Sequence, residues 1–358
     1  MDGTAATSMA DRSIQEEAAF AAAVEAETAR QVRRFRAELE GRATEIKELR
    51  KQLDFVQSID SAKLSAPTWT SPAPASSRSG IVTLLLTDTH FEENVKPEQI
   101  DHLNAYDRRI AELRLKRWTE KVIELARDYV KGIDYSGAVL MLGGDIFSGN
   151  IHAELKESNT GTLFEGIVHW LEPLESAFTL LKKEFGNLHI ACVVGNHGRM
   201  THKPIAKNRA QDNIEWLMYR ILERDLRESG ITFQVSDAAD ALVQVYDTRY
   251  LLTHGDQFKG GSGISGMMAP LMLGQHRKTR RQMAADKPYD WLVMGHMHQY
   301  WHGKNIIVGG TLKGYDEYAY VSNFEWEPPV QAFWITDPEH GPTIAAPVHV
   351  SDRVTEGW

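Results

Sequence analysis

Beyond residue 80 the chain alternates between short runs of wholly apolar or β-branched residues and longer stretches where apolar residues recur every three or four positions. The short runs are Ile81 to Thr87, Ala138 to Leu142, Leu188 to Val194, Tyr250 to Thr253, Trp291 to Met294 and Ile306 to Val308. A strand that is apolar on both faces is buried on both, so these runs predict interior strands rather than half-exposed ones. Helical periodicity at Pro97 to Val130 and at Gly161 to Glu184 supplies the covers. The pattern predicts an α/β domain whose sheets carry helices on their outer faces. After the last of these runs the chain continues with strand-like stretches such as Ala332 to Thr336.

Before residue 80 the pattern changes twice. Asp11 to Ile59 is rich in Ala, Glu, Arg, Gln and Leu, has no proline and holds Gly41 as its one glycine, which predicts a long helix. Val32, Phe35, Leu39, Ile46, Leu49, Leu53 and Val56 fall on alternating three- and four-residue steps, with Arg42 interrupting them. Such spacing fits a short coiled coil and homo-oligomerisation; it fits equally a single amphipathic helix packed on its own domain. Ser61 to Gly80, with Pro67, Pro72 and Pro74, has a composition that extends rather than packs, so it reads as a linker. The expected division is 1–60 helical segment, 61–80 linker and 81–358 catalytic-type domain.

Composition narrows the class. A hydrophobic fraction of 42% and a charged fraction of 25% are those of a globular chain that can bury a core. A net charge of -9 repels polyanions unless basic groups gather locally. Cys192 is the sole cysteine and sits in an apolar run, which excludes a disulfide within the chain. No apolar run approaches the roughly 20 residues that span a bilayer, and the start lacks the pattern of a secretory leader. A cytoplasmic protein without membrane contact is expected.

The candidate chemistry follows the strands. The first run ends in Thr87-Asp88-Thr89-His90, the second in Gly143-Gly144-Asp145, the third in Gly195-Asn196-His197-Gly198, the fourth in His254-Gly255-Asp256 and the fifth in Gly295-His296-Met297-His298. Ligands of open α/β sheets bind outside the carboxyl ends of strands, so groups far apart in sequence converge there. Carboxylates, imidazoles and one amide without thiolate form a nitrogen and oxygen set suited to manganese, iron or zinc. Up to seven donors are too many for one tetrahedral ion and enough for two if a carboxylate bridges them; Asp145 is the best bridge.

Asp-x-His, Gly-Asp, Gly-Asn-His, His and Gly-His-x-His in that order resemble the motif set of the calcineurin-like metallophosphoesterases, over about residues 81 to 310. The resemblance implies a two-sheet β-sandwich flanked by helices. It implies that Asp88, His90 and His298 bind a first divalent metal, that Asn196, His254 and His296 bind a second, and that Asp145 bridges both. In this reading a bridging water, acidified by two ions, attacks the phosphate in line. His197 would act as general acid or phosphate binder, since an imidazole can donate a proton to a departing alkoxide. The chain departs from the common pattern at Gly198, where many members carry Asp or Glu to orient the preceding histidine, so another group must orient His197.

Two basic clusters flank these motifs: Arg199, His202, Lys203, Lys207 and Arg209, and Arg277, Lys278, Arg280 and Arg281, the latter preceded by the glycine-rich stretch Gly260 to Gly263. Arg199, Lys203, Arg209 and the nearby His152 are the candidate substrate-binding residues. Positive loops beside a metal site on an acidic chain suggest a polyanionic substrate, so nucleic acid is the expected partner and a phosphodiesterase or nuclease the leading expectation. The motif texture is similar to the DNA-repair nuclease branch of the family and to phage and prophage metallophosphoesterases. Only about sixty residues follow His298, where that branch continues into a segment binding a coiled-coil ATPase, so no such partner is expected. A phosphomonoesterase or nucleotide phosphohydrolase would use the same ligands, and a coiled-coil adaptor with a relic enzyme domain is the reading from another class.

Overall fold

The structure, a computed structural model, describes residues 79–258 and 268–358, with scattered helical positions between Ala22 and Lys47. The heptad positions from Val32 to Val56, residues 61–78 of the linker and Gly260 to Gly263 lie outside the described residues. The chain divides into two units, Met1–Ser65 and Ala66–Trp358. The elements below belong to the second.

Each apolar run becomes a strand, and the strands form two sheets. In the first, β1 (Ser79–Leu86), β2 (Asp134–Leu142), β3 (Leu188–Cys192) and β4 (Thr232–Val235) run parallel in that spatial order. On the other edge of β1, β10 (Val330–Asp337) and β11 (Gly341–His349) are added antiparallel. The second sheet has β5 (Asp240–Val245), β6 (Thr248–Thr253), β7 (Trp291–Met294), β9 (Ile306–Val308) and β8 (Trp301–Gly303) in the order 5-6-7-9-8, with β6, β7 and β9 parallel.

The absence of alternation has the expected cause. On β1 the odd positions Ile81 and Leu85 enter a core shared between the two sheets with Val139, Val193, Leu252, Val293 and Trp334. The even positions Val82, Leu84 and Leu86 enter a second core against the helices, with Trp118, Trp170, Phe178 and Met218. A third, smaller core packs Leu271 and Phe258 on the outer face of the second sheet. The result is an α/β fold of two stacked sheets with helices outside.

The covers are α1 (Arg108–Glu124), α3 (Leu163–Phe185) and α4 (Ile214–Asp225) on the first sheet and α5 (Met268–Ala284) on the second; the short α2 is Ala153–Ser158. One expected helix is shorter than its periodicity suggested. Pro97–Gln99 forms an isolated 3-10 turn, and α1 begins only where the Asp107 side chain accepts from Ile110 N at 2.7 Å. Between them Asp101 and His102 take positive φ, and Tyr106 pairs as a β-bridge with Val95 on the far side of the turn, so the segment cannot continue a helix. By contrast α3 starts on a full capping box, Thr162 with Glu165, and stops at Gly186 with φ 80°. Among the described residues no helix is long and apolar enough to cross a membrane.

Candidate metal centre

The five motif loops leave the ends of β1, β2, β3, β6 and β7, and a backbone ladder ties them together. Asp88 N donates to Gly144 O, His90 N to Asp145 O and Gly295 N to His254 O, at 3.0 to 3.1 Å. Two glycines let ligand-type carboxylates pass. A Cβ on Gly195 would lie 2.0 Å from Asp145 Oδ1, and one on Gly295 would lie 2.2 Å from Asp88 Oδ2. Asp88, His90, Asp145, His296 and His298 all have φ between 46° and 71°. Left-handed conformations cost non-glycine residues about 1–3 kcal/mol each and persist where the surroundings over-determine them, a pattern typical of functional sites.

All seven expected ligands come together. Asp88, His90 and His298 form one group whose donor atoms lie within 4.8 Å of one another; Asp145, His254 and His296 form another. A third joins His90, Asp145 and His197, so Asp145 belongs to two of the three. Asn196 Oδ1 lies 3.1 Å from His254 Nε2, which also lies 3.0 Å from Asp145 Oδ2.

Tautomers decide what this arrangement fits. His254 Nδ1 lies 2.9 Å from the Gly143 carbonyl, which can only accept, so Nδ1 carries a hydrogen and Nε2 is the nitrogen turned toward the two oxygens. His90 Nδ1 faces Glu93 Oε2 at 3.3 Å, leaving its Nε2 toward His298 Nε2 at 3.1 Å and the same cluster. Asp88 Oδ1 is buried without any hydrogen-bond partner. Two carboxylates, an amide oxygen and several imidazole nitrogens thus converge inside the protein, a concentration of ligand atoms that a cation among them would stabilise. The donor set fits two divalent ions of the manganese, iron or zinc type.

The electrostatics agree in sign. Burial works against charge at both groups, yet His298 holds Asp88 down at about 2, and Asp145 pushes His254 up to about 10. His90 is lowered to about 4 by burial and by the nearby Lys313 ammonium. Behind His90 lies a buried chain of charges: Lys313 Nζ donates to Glu93 Oε1 at 3.0 Å and also to Asp316, whose other oxygen caps α6 (Glu317–Val321). A carboxylate behind a ligating histidine fixes ring and tautomer.

Of the substrate-side residues, His197 is in the cluster, with its ring 4.6 Å from that of His90. Its backbone N–H donates to Asp145 Oδ1 at 2.7 Å, and its Nδ1 donates to the Ser148 carbonyl at 2.8 Å. His152 is exposed with its ring 6.1 Å from that of His197. Arg199 spends its guanidinium on the carbonyls of Asn196, Thr201 and His202 within its own loop. Arg209 makes a two-bond ion pair with Asp256 at 2.8 Å, and Lys203 is exposed. In the second basic cluster Lys278 is buried on Asp240, Thr253 and Gln257, and Arg281 also binds Asp240.

Sequence reasoning missed Glu93, Lys313 and Asp316 behind His90, the Ser148 carbonyl behind His197, and Glu215. The last is a fully buried carboxylate that accepts from Ile146 N at 2.7 Å and Gly195 N at 2.8 Å. Burial and the neighbouring Asp145 raise its pKa to about 7. The spacing His90-x-x-Glu93 was a usable signal; a carboxylate on a helix seventeen residues after Gly198 was not.

No protein-family model matches the chain, and no curated protein matches it. Solved structures it is similar to include a predicted phosphoesterase from Streptococcus pneumoniae, at 10% identity over 75% of this chain and 97% of that one, with a TM-score of 0.26. Vacuolar Protein Sorting 29 from Cryptosporidium parvum is 15% identical over 75% and 96%, with a TM-score of 0.28. The Vps29 of Chaetomium thermophilum is 9% identical over 75% and 94%, with a TM-score of 0.25. Scores of this size are too low to carry an argument about fold or function.

Proposed function

We propose that the chain is a dinuclear metal-dependent phosphoester hydrolase of the calcineurin-like type. The observation that carries this reading is the position of Asp145 in two of the three clusters of metal-ligand side chains gathered at the strand ends. Asp88, His90 and His298 would hold one ion, Asn196, His254 and His296 the other, with Asp145 shared. We propose manganese for both positions, with iron and zinc as the competitors the mixed donors also suit. Two divalent ions, when bound, supply the charge that clamps a phosphate and the acidity that makes water a nucleophile at neutral pH.

The chain's own residues do the rest. The Glu93 carboxylate and the Gly143 carbonyl lie beside Nδ1 of His90 and His254, so the other ring nitrogen of each is turned toward the centre. Ser148 accepts the Nδ1 hydrogen of His197, so Nε2 is the atom that faces a bound ester and, in the imidazolium form, gives its proton to the leaving oxygen.

The substrate we propose is a phosphodiester of nucleic acid. Its support is the exposed His202, Lys203, Lys207, Arg277 and Arg280 on the basic loop and helix. A phosphomonoester or nucleotide is the second reading, favoured by the commitment of Arg199, Arg209, Lys278 and Arg281 to partners within the chain, which thins the basic surface.

A screen with added manganese, iron or zinc over mononucleotides, single strands, duplexes and bis-nitrophenyl phosphate tests both. Asp145→Asn should abolish hydrolysis of every substrate and lower bound metal, because a neutral amide cannot hold two cations together. Full activity with intact metal loading in that variant would refute the assignment.

A further inference from the structure

The buried carboxylate of Glu215 has no role in the reading above, and its surroundings are unusual. It lies in the first turn of α4, entirely out of solvent. Among the described residues no Lys, Arg or His lies within ion-pair distance of it; its partners are backbone N–H groups. Oε1 accepts from Ile146, the residue after Asp145, and Oε2 accepts from Gly195, the residue before Asn196. The α4 cap strengthens the same joint: Asn213 Oδ1 accepts from Glu215 N at 2.9 Å, while Asn213 Nδ2 donates to Gly195 O at 2.9 Å.

Burying a carboxyl costs free energy unless its oxygens are hydrogen-bonded, and α4 is already capped by Asn213, so the placement of Glu215 calls for another reason. The two loops that Glu215 joins carry Asp145 and Asn196, which would have to reach one shared ion from different strands. Gly198 completes the picture. A Cβ at that position would meet Glu215 Cγ at 2.7 Å and Asn213 Oδ1 at 2.4 Å, so the space beside Gly198 is already filled by α4.

We infer that Glu215 is a positioning residue of the metal centre, setting the separation of the Asp145 and Asn196 loops from the helix through space that a side chain at Gly198 would otherwise fill. The inference rests on the metal-centre reading of the preceding section. Glu215 touches neither ions nor substrate; it acts through Ile146 and Gly195.

Calorimetric titration of the metal-free full chain with manganese chloride tests this. In Glu215→Gln one backbone N–H faces an amide donor and the charge is gone, so manganese should bind about 10–100-fold more weakly, the usual loss for a group that orients metal ligands. The upward shift in melting temperature that saturating manganese produces, measured from each protein's own metal-free value, should be smaller in the variant. If Glu215→Gln does not fold, Glu215→Asp, which keeps the charge but cannot span both N–H groups, should show the same weakening. A variant isotherm superimposable on that of the wild type overturns the role of Glu215 alone. A wild-type chain that takes up no manganese, iron or zinc overturns the metal centre, and Glu215's role with it.

Discussion

At the scale of single residues, orientation is achieved by carbonyls as much as by carboxylates. His254 and His197 each give their Nδ1 hydrogen to a backbone oxygen, of Gly143 and Ser148 respectively. A carbonyl fixes the tautomer without adding charge, so it leaves the centre's balance to Asp88, Asp145 and the ions. For His197 this sets a clear expectation. A nucleic-acid linkage expels a sugar alkoxide that needs a proton, whereas bis-nitrophenyl phosphate expels a stable phenolate. His197→Ala should cost roughly 10²–10⁴-fold on the nucleic acid and much less on the activated diester, with metal content unchanged. Equal losses on both would mean that His197 stabilises charge on the phosphate instead of donating a proton.

At the scale of elements, strands bring the site together and also bury a titratable group far from the chemistry. His189 on β3 is nearly inaccessible, with Nδ1 2.9 Å from Thr232 Oγ1 on β4, and burial lowers its pKa from 6.5 to about 4. The fold holds this imidazole neutral, while the unfolded chain protonates it near its ordinary value. Its contribution is therefore fully present above pH 6.5 and is lost as pH falls toward 4, by about 3 kcal/mol over that window. His189→Gln should remove this dependence. Melting curves of the metal-free protein from pH 7 to 4 should show the wild type losing stability relative to the variant; a constant gap between the two would count against a buried neutral histidine.

At the scale of the whole molecule, every donor of the proposed centre belongs to the unit Ala66–Trp358. Deletion of residues 1–65 should therefore leave a folded domain that binds metal and hydrolyses the small diester at the wild-type rate. Light scattering should at the same time report a smaller assembly if the heptad positions pair chains. An association state untouched by the deletion would remove the coiled-coil proposal and leave the hydrolase intact.

The sequence by itself determined the buried strands β1, β2, β3, β6, β7 and β9 and the identities of the polar groups that follow them. Runs such as Ile81 to Thr87 admit only a strand buried on both faces, because alternate side chains must enter two different cores. A polar residue at the end of such a run has one place to go, so Asp88, Asp145, Asn196, His254 and His296 were legible one strand at a time. What the tertiary structure decided was everything that depends on loops meeting. Arg199 and Arg209 look free in the sequence, yet a nearby carbonyl or carboxylate costs a guanidinium less than competing with water for a distant phosphate, and both are engaged within the chain. Glu215 looks like an ordinary helical glutamate until α4 folds against two loops and removes its water. Periodicity reports which face of an element is buried; it carries no record of which backbone N–H groups will be waiting there, and that is where this centre is held together.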